Sequence, residues 1–116
     1  EFDLRFYGYK KWILKKKYSY KVNNRIIEVP ANFITDLASI PKIFQNIFEP
    51  AGENYTRGAV IHDYLYSKDC KYIDISRKEA DQIFLEIMKE RGVPFWKRHL
   101  IYKAVKFFGW IFFRKE

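Results

Sequence analysis

The chain has 116 residues, 48% of them hydrophobic and 20% aromatic, with a formal charge of +8. That length is expected to form one domain with a real core, and the aromatic content excludes a disordered segment. The lone cysteine, Cys70, rules out an internal disulfide and, with only two histidines, makes a poor zinc site. The charge favours an anionic partner without choosing between lipid and nucleic acid.

In chain order, residues 1–30 are expected to be β-rich, 31–55 irregular with short helical turns, and 56–116 helical. Residues 2–7, 11–15, 18–22 and 25–29 are dense in Phe, Tyr, Ile and Val and predict strands. Between "YSYKV" and "RIIEV", Asn23-Asn24 suits a two-residue hairpin turn, because Asn tolerates the left-handed conformation. Pro30 ends the last strand, since it has no N–H for the ladder. The block Lys15-Lys16-Lys17 reads as a solvated strand edge. Asp36 can cap a turn over 37–40, and Pro41 can open another. A helix is expected over 56–66 with Thr56 as its cap. "SRKE" at 76–79 is a capping box that opens a helix to about Arg91, with Gly92 as its stop. In that helix Ala80, Ile83, Phe84, Ile87 and Met88 make one apolar stripe. Pro94 starts a last helix over 94–113. The fold class is α+β, an N-terminal antiparallel sheet of hairpins packed on about three C-terminal helices. No segment reaches the ~20 apolar residues of a membrane span. No signal peptide is visible in the opening residues.

The chemistry concentrates in "AVIHDYLY", residues 59–66, where His62 and Asp63 interrupt an apolar run. If the helices at 56–66 and 76–91 are antiparallel, His62 and Asp81 each lie about 6–8 Å from the connecting turn and are level. Tyr66, one turn after His62, also reaches toward Asp81. A carboxylate bonded to one imidazole nitrogen fixes the tautomer and leaves the other as a base for water or an alcohol. Asp63 is rotated about 100° from His62 and can hold an oxygen-liking cation such as Ca²⁺. A plain structural reading stands beside this one. Asp63 then pairs with a lysine, His62 is a satisfied core histidine, and Asp81 is an acid favoured near a helix N-terminus.

"TDLASIP" at 35–41, "AVIHDYLY" at 59–66 and "EAD" at 79–81, in that order and spacing, resemble a family of small proteins of unknown function found in tailed-phage and prophage genomes. That family usually has Gly before the Phe of its first motif, where this chain has Asn32; Asn accepts the same positive φ. The resemblance implies a phage or prophage origin and, with no signal peptide in view, a location in a host cytoplasm or a phage particle. A local resemblance also runs to phospholipase A2-type catalytic helices, which carry HDxxY on one helix and Asp on its antiparallel partner. It would make His62 the base that activates water, Asp81 its orienter, Tyr66 a support for Asp81, and Asp63 a Ca²⁺ ligand. The glycine-rich Ca²⁺ loop of those enzymes is missing; only "PAGENY" at 50–55 stands near. Thr35 and Asp36 can border the pocket and supply oxygens, and Ser39 is either a nucleophile or a helix-cap companion of Asp36.

The last helix mixes Trp96, Phe108 and Trp110 with Lys106 and Arg114. Such a helix either covers the sheet or contacts a membrane or protein partner. The leading expectation is a phage-encoded protein with a His/Asp hydrolytic site acting on host-envelope lipid, with anionic lipid or another phage protein as partner. The alternative is a non-enzymatic accessory or virion protein whose HD motif is structural. For nucleic acid there is a charge match without a binding motif.

Overall fold

Antiparallel pairing of short strands sets the N-terminal half of the computed structural model, which describes residues 2–8, 11–36 and 53–114. Strand β1 (Leu4–Gly8) pairs antiparallel with β2 (Lys11–Leu14). Strands β3 (Tyr18–Val22) and β4 (Arg25–Val29) form a hairpin in which Tyr18 faces Val29 and Val22 faces Arg25. Asn23 and Asn24 turn it with φ of 51° and 62°, the two positive angles that a tight hairpin turn requires. Tyr18, Val22, Ile27 and Val29 alternate into the core, while the neighbouring positions face outward or sit at the margin. Asn32 adopts φ 70° and donates its N–H to the Leu14 carbonyl, so the expected positive angle is present.

The chain then adds β5 (Ile34–Thr35), which pairs antiparallel with β2 in the register Trp12 to Thr35. Sequence reading places residues 31–55 as irregular and misses this strand. Two residues carry no period of their own, and β5 exists because β2 offers it an open edge. The strands therefore form two sheets, β1-β2-β5 and β3-β4, where one was expected. The helical turns expected over 37–40 and after Pro41, together with Ser39, lie outside the described residues.

Among the described residues three helices follow: α1 (Glu53–Tyr66), α2 (Arg77–Glu90) and α3 (Phe95–Phe112). Helix α1 begins before Thr56, which lies buried inside its first turn and is not its cap. The capping box of α2 forms as the sequence predicts, with Glu79 N–H donating to Ser76 Oγ and Ser76 N–H to Glu79 Oε1, both at 3.1 Å. Gly92 supplies the positive φ that stops it, and Val93 N–H closes back on the Met88 carbonyl.

Helices α1 and α2 run antiparallel in close contact. A Cβ on Gly58 would stand 2.9 Å from the Phe84 ring, so only glycine permits this approach. The predicted stripe of α2 is buried, and each of its fully buried large side chains contributes about 1.5–3 kcal/mol. Helix α1 touches β4 and β5, and α2 touches β3. Among the described residues helix α3 packs chiefly on α2 and not on the sheet that its aromatic content suggested it covers. Polar contacts tie the loop between α1 and α2 to the β3-β4 hairpin. Tyr72 accepts the Glu28 N–H at 2.8 Å, and Arg25 forks onto Asp74 at 2.7 and 3.0 Å. Among the described residues no helix is long and apolar enough to cross a membrane.

Candidate functional site

Helical phase turns His62 and Tyr66 of α1 toward α2, one turn apart on the same face. From α2, Asp81 sits beside the apolar stripe and points back. His62 Nε2 lies 2.8 Å from Asp81 Oδ1, and the Tyr66 hydroxyl donates to the same oxygen at 2.6 Å. His62 and Asp81 are each only 2% exposed. The imidazole is clamped between rings, with centroids 4.2 Å from Tyr66 and 4.9 Å from Phe84. Burial of this kind is tolerable for a carboxylate only when donors meet it, and Asp81 has two. Burial first, and the bond to Asp81 second, push the Tyr66 hydroxyl far above its ordinary range, so it stays a donor.

One oxygen that accepts from both neighbours places the imidazole proton on Nε2. His62 Nδ1 then keeps its lone pair. It is buried and, among the described residues, has no hydrogen-bond partner. A second roof comes from α3: a Cβ on Gly109 would collide with the Tyr66 hydroxyl, so the helix passes directly over this group.

Asp63 leaves on the next face of α1 and meets β5. Its Oδ2 accepts the Thr35 hydroxyl at 2.7 Å and the Asp36 N–H at 3.1 Å. Burial, and then repulsion from the Asp36 carboxylate, push the Asp63 carboxyl up to about 7, while the two hydrogen bonds oppose the rise. These groups face a cavity of about 720 Å³ lined by Thr35, Asp36, Asp63, Tyr64, Tyr66 and Asp69 among others. His62 and Asp81 are not in its wall; Tyr66, whose ring lies against His62, is among the residues that line it.

A Ca²⁺ ion takes six to eight oxygens. Among the described residues no group of three His, Cys, Asp or Glu side chains can hold a metal. Asp36 and Asp63 are the pair nearest to such a site, and one Asp63 oxygen already accepts two hydrogen bonds. The described residues thus do not fit a Ca²⁺ centre.

The structure brings together His62, Tyr66 and Asp81 in one cluster and Thr35, Asp36 and Asp63 in another. Ser39 lies outside the described residues. On α3, Trp96, Lys106 and Trp110 are exposed, and the side chain of Phe108 is not among those described. Arg114 stands apart from that surface. Its guanidinium donates to the carbonyls of Tyr72, Ile73 and Ile75. Sequence reasoning overlooked Tyr64 and Asp69 as cavity residues. Tyr64 carries no polar signal within its apolar run, and its ring is seated edge-on against Phe33 at 5.4 Å.

A sequence profile described as "Protein of unknown function (DUF1353)" matches residues 12–105, from β2 into α3. An uncharacterized protein, y4jT, of Sinorhizobium fredii (strain NBRC 101917 / NGR234) is 34% identical over 82 residues. That alignment covers 70% of this chain and 23% of the relative, so the chain spans about a quarter of that protein's length. No solved structure matches the chain.

Proposed function

Because the chain belongs to the DUF1353 family, whose function is unknown, we propose a function from its geometry: hydrolysis of carboxylic esters with His62 as general base. The observation that carries this reading is the His62 ring, held at Nε2 by Asp81 while Nδ1 has no hydrogen-bond partner among the described residues. Buried histidines that serve packing alone normally have both nitrogens satisfied, whereas a base needs one lone pair in reserve.

In the proposed reaction Nδ1 takes a proton from a water molecule, and the water oxygen attacks the ester carbonyl carbon. Asp81 stabilises the imidazolium through Nε2–H, and Tyr66 holds Asp81 in place. The tetrahedral intermediate collapses by breaking the bond to the alcohol oxygen, which recovers the proton from Nδ1. The ester enters through the cavity lined in part by Tyr66 and Asp63, the helix neighbours of His62. No step is routed through a cation. Two resemblances support the finer reading, a phage-encoded protein acting on host-envelope lipid in the manner of phospholipase A2. They are the order of "TDLASIP", "AVIHDYLY" and "EAD", and the matching residue types at His62, Asp63, Tyr66 and Asp81.

The near-complete burial of His62 and Asp81 favours a second reading, a non-enzymatic phage accessory or virion protein in which the cluster is a structural knot. Ester release from a soluble short-chain ester and from anionic vesicles, with and without Ca²⁺, separates the two. The hydrolytic reading expects His62→Gln to lower the rate by about a hundredfold or more. Equal rates in the two proteins would sink it. The structural reading expects no release by either protein and a lower melting temperature for the variant.

A further inference from the structure

Helix α3 shows solvent a face that its packing on α2 leaves uncovered. At about 100° per residue, Trp96, Lys103, Phe107 and Trp110 fall within roughly 60° of one another, with Lys106 at their flank. Trp96, Phe107 and Trp110 are 60%, 71% and 61% exposed. Lys103 and Lys106 are exposed as well. Residues 95–112, the span of α3, contain four Lys or Arg and no Asp or Glu. The face extends about 21 Å along the axis from Trp96 to Trp110.

We propose that this face of α3 docks flat on an anionic lipid bilayer. Three observations select that occupant. The field of the helix is wholly cationic, which matches anionic headgroups and repels a second copy of itself. The rings are large, and indole sits stably at headgroup depth. The helix is too polar to insert across the bilayer, so the geometry left to it is parallel to the surface. Nucleic acid would use the lysines, but no groove-reading or base-stacking motif organises these rings. The proposal rests on the lipid-ester reading for its choice of a bilayer over other anionic surfaces. Its physical content, surface binding, is independent of hydrolysis.

Co-sedimentation of the full chain with two kinds of vesicle tests it, pure phosphatidylcholine and a mixture one-third phosphatidylglycerol. The expected result is binding to the anionic vesicles that salt weakens, with a blue shift of tryptophan emission. A lysine near an anionic surface adds about fivefold in affinity, so Lys103→Gln with Lys106→Gln should weaken binding about 25-fold. Phe107→Ser with Trp110→Ser should abolish it. These residues are exposed, and unchanged melting temperatures will show that the variants fold. The proposal is overturned by absence of vesicle binding, or by binding that both double variants leave intact. It is also overturned if vesicles go unbound while the face serves a dimer that Phe107→Ser with Trp110→Ser dissolves, or a salt-steep complex with duplex DNA. His62→Gln should bind vesicles like the wild type. A failed docking therefore leaves the hydrolysis of soluble ester untouched, and a failed hydrolysis leaves docking standing.

Discussion

Replacing Asp63 by Asn tests the electrostatics of the cavity wall. The folded protein holds the Asp63 proton to about pH 7, against an ordinary value of 3.8, chiefly because the carboxyl is buried and secondly because Asp36 faces it. A folded-state value above the unfolded one means that the native state binds the proton more tightly. The associated stability is fully present below about pH 3.8 and is lost as pH rises through 7. The shift of roughly three units corresponds to about 4 kcal/mol between these limits. Some 2–3 kcal/mol of it disappears between pH 5 and pH 8. Asn cannot ionise, yet its amide oxygen can still accept from the Thr35 hydroxyl and the Asp36 N–H, and its amide can donate to the Asp36 carboxylate. Urea denaturation at pH 5, 6, 7 and 8 should show wild-type stability falling across this window while Asp63→Asn stays nearly level. At pH 8 the variant should be the more stable protein. Parallel curves for the two proteins would refute the reasoning. The lowered carboxylates Asp3, Glu28 and Asp74 titrate below this window and do not produce the slope.

Two further substitutions probe the buried cluster. Tyr66→Phe removes one of the two donors to Asp81 Oδ1 and leaves a buried carboxylate half satisfied, so it should destabilise the protein by about 1–3 kcal/mol in urea melts. Gly109→Ala places a methyl group against the Tyr66 hydroxyl. The expected cost of about 1–3 kcal/mol from overpacking should outweigh the ~1 kcal/mol that alanine gains as a helix former, so a rise in melting temperature would contradict the close crossing of α3.

What could be read from the sequence was local. Asn23-Asn24, the Ser76–Glu79 box and the stripe from Ala80 to Met88 each state their conformation within a few residues. The level of His62 with Asp81 is also local in this sense, because helical rise and a short connection fix it. Strand β5 was illegible because its two residues are ordered by the edge of β2. The division into two sheets and the seat of α3 on α2 depend on which surfaces meet, and pattern alone does not rank them. Arg114 reads as a surface cation, yet three loop carbonyls with no sequence signature draw it inward. The burial of His62 was hidden for the same reason: Phe84 and Tyr66 enclose it from two helices.

The Arg114 clamp also orders events in time. His62 and Asp81 can meet as soon as α1 and α2 form their hairpin. Tyr66 joins them from the same hairpin, and its cover comes later: the Tyr66 carbonyl takes the Arg114 N–H, and Gly109 closes over the Tyr66 hydroxyl. Both come from a stretch of chain made after the hairpin. During vectorial synthesis the imidazole–carboxylate pair therefore precedes its lock, and a nascent chain halted before residue 109 would carry the pair unlocked and open to water.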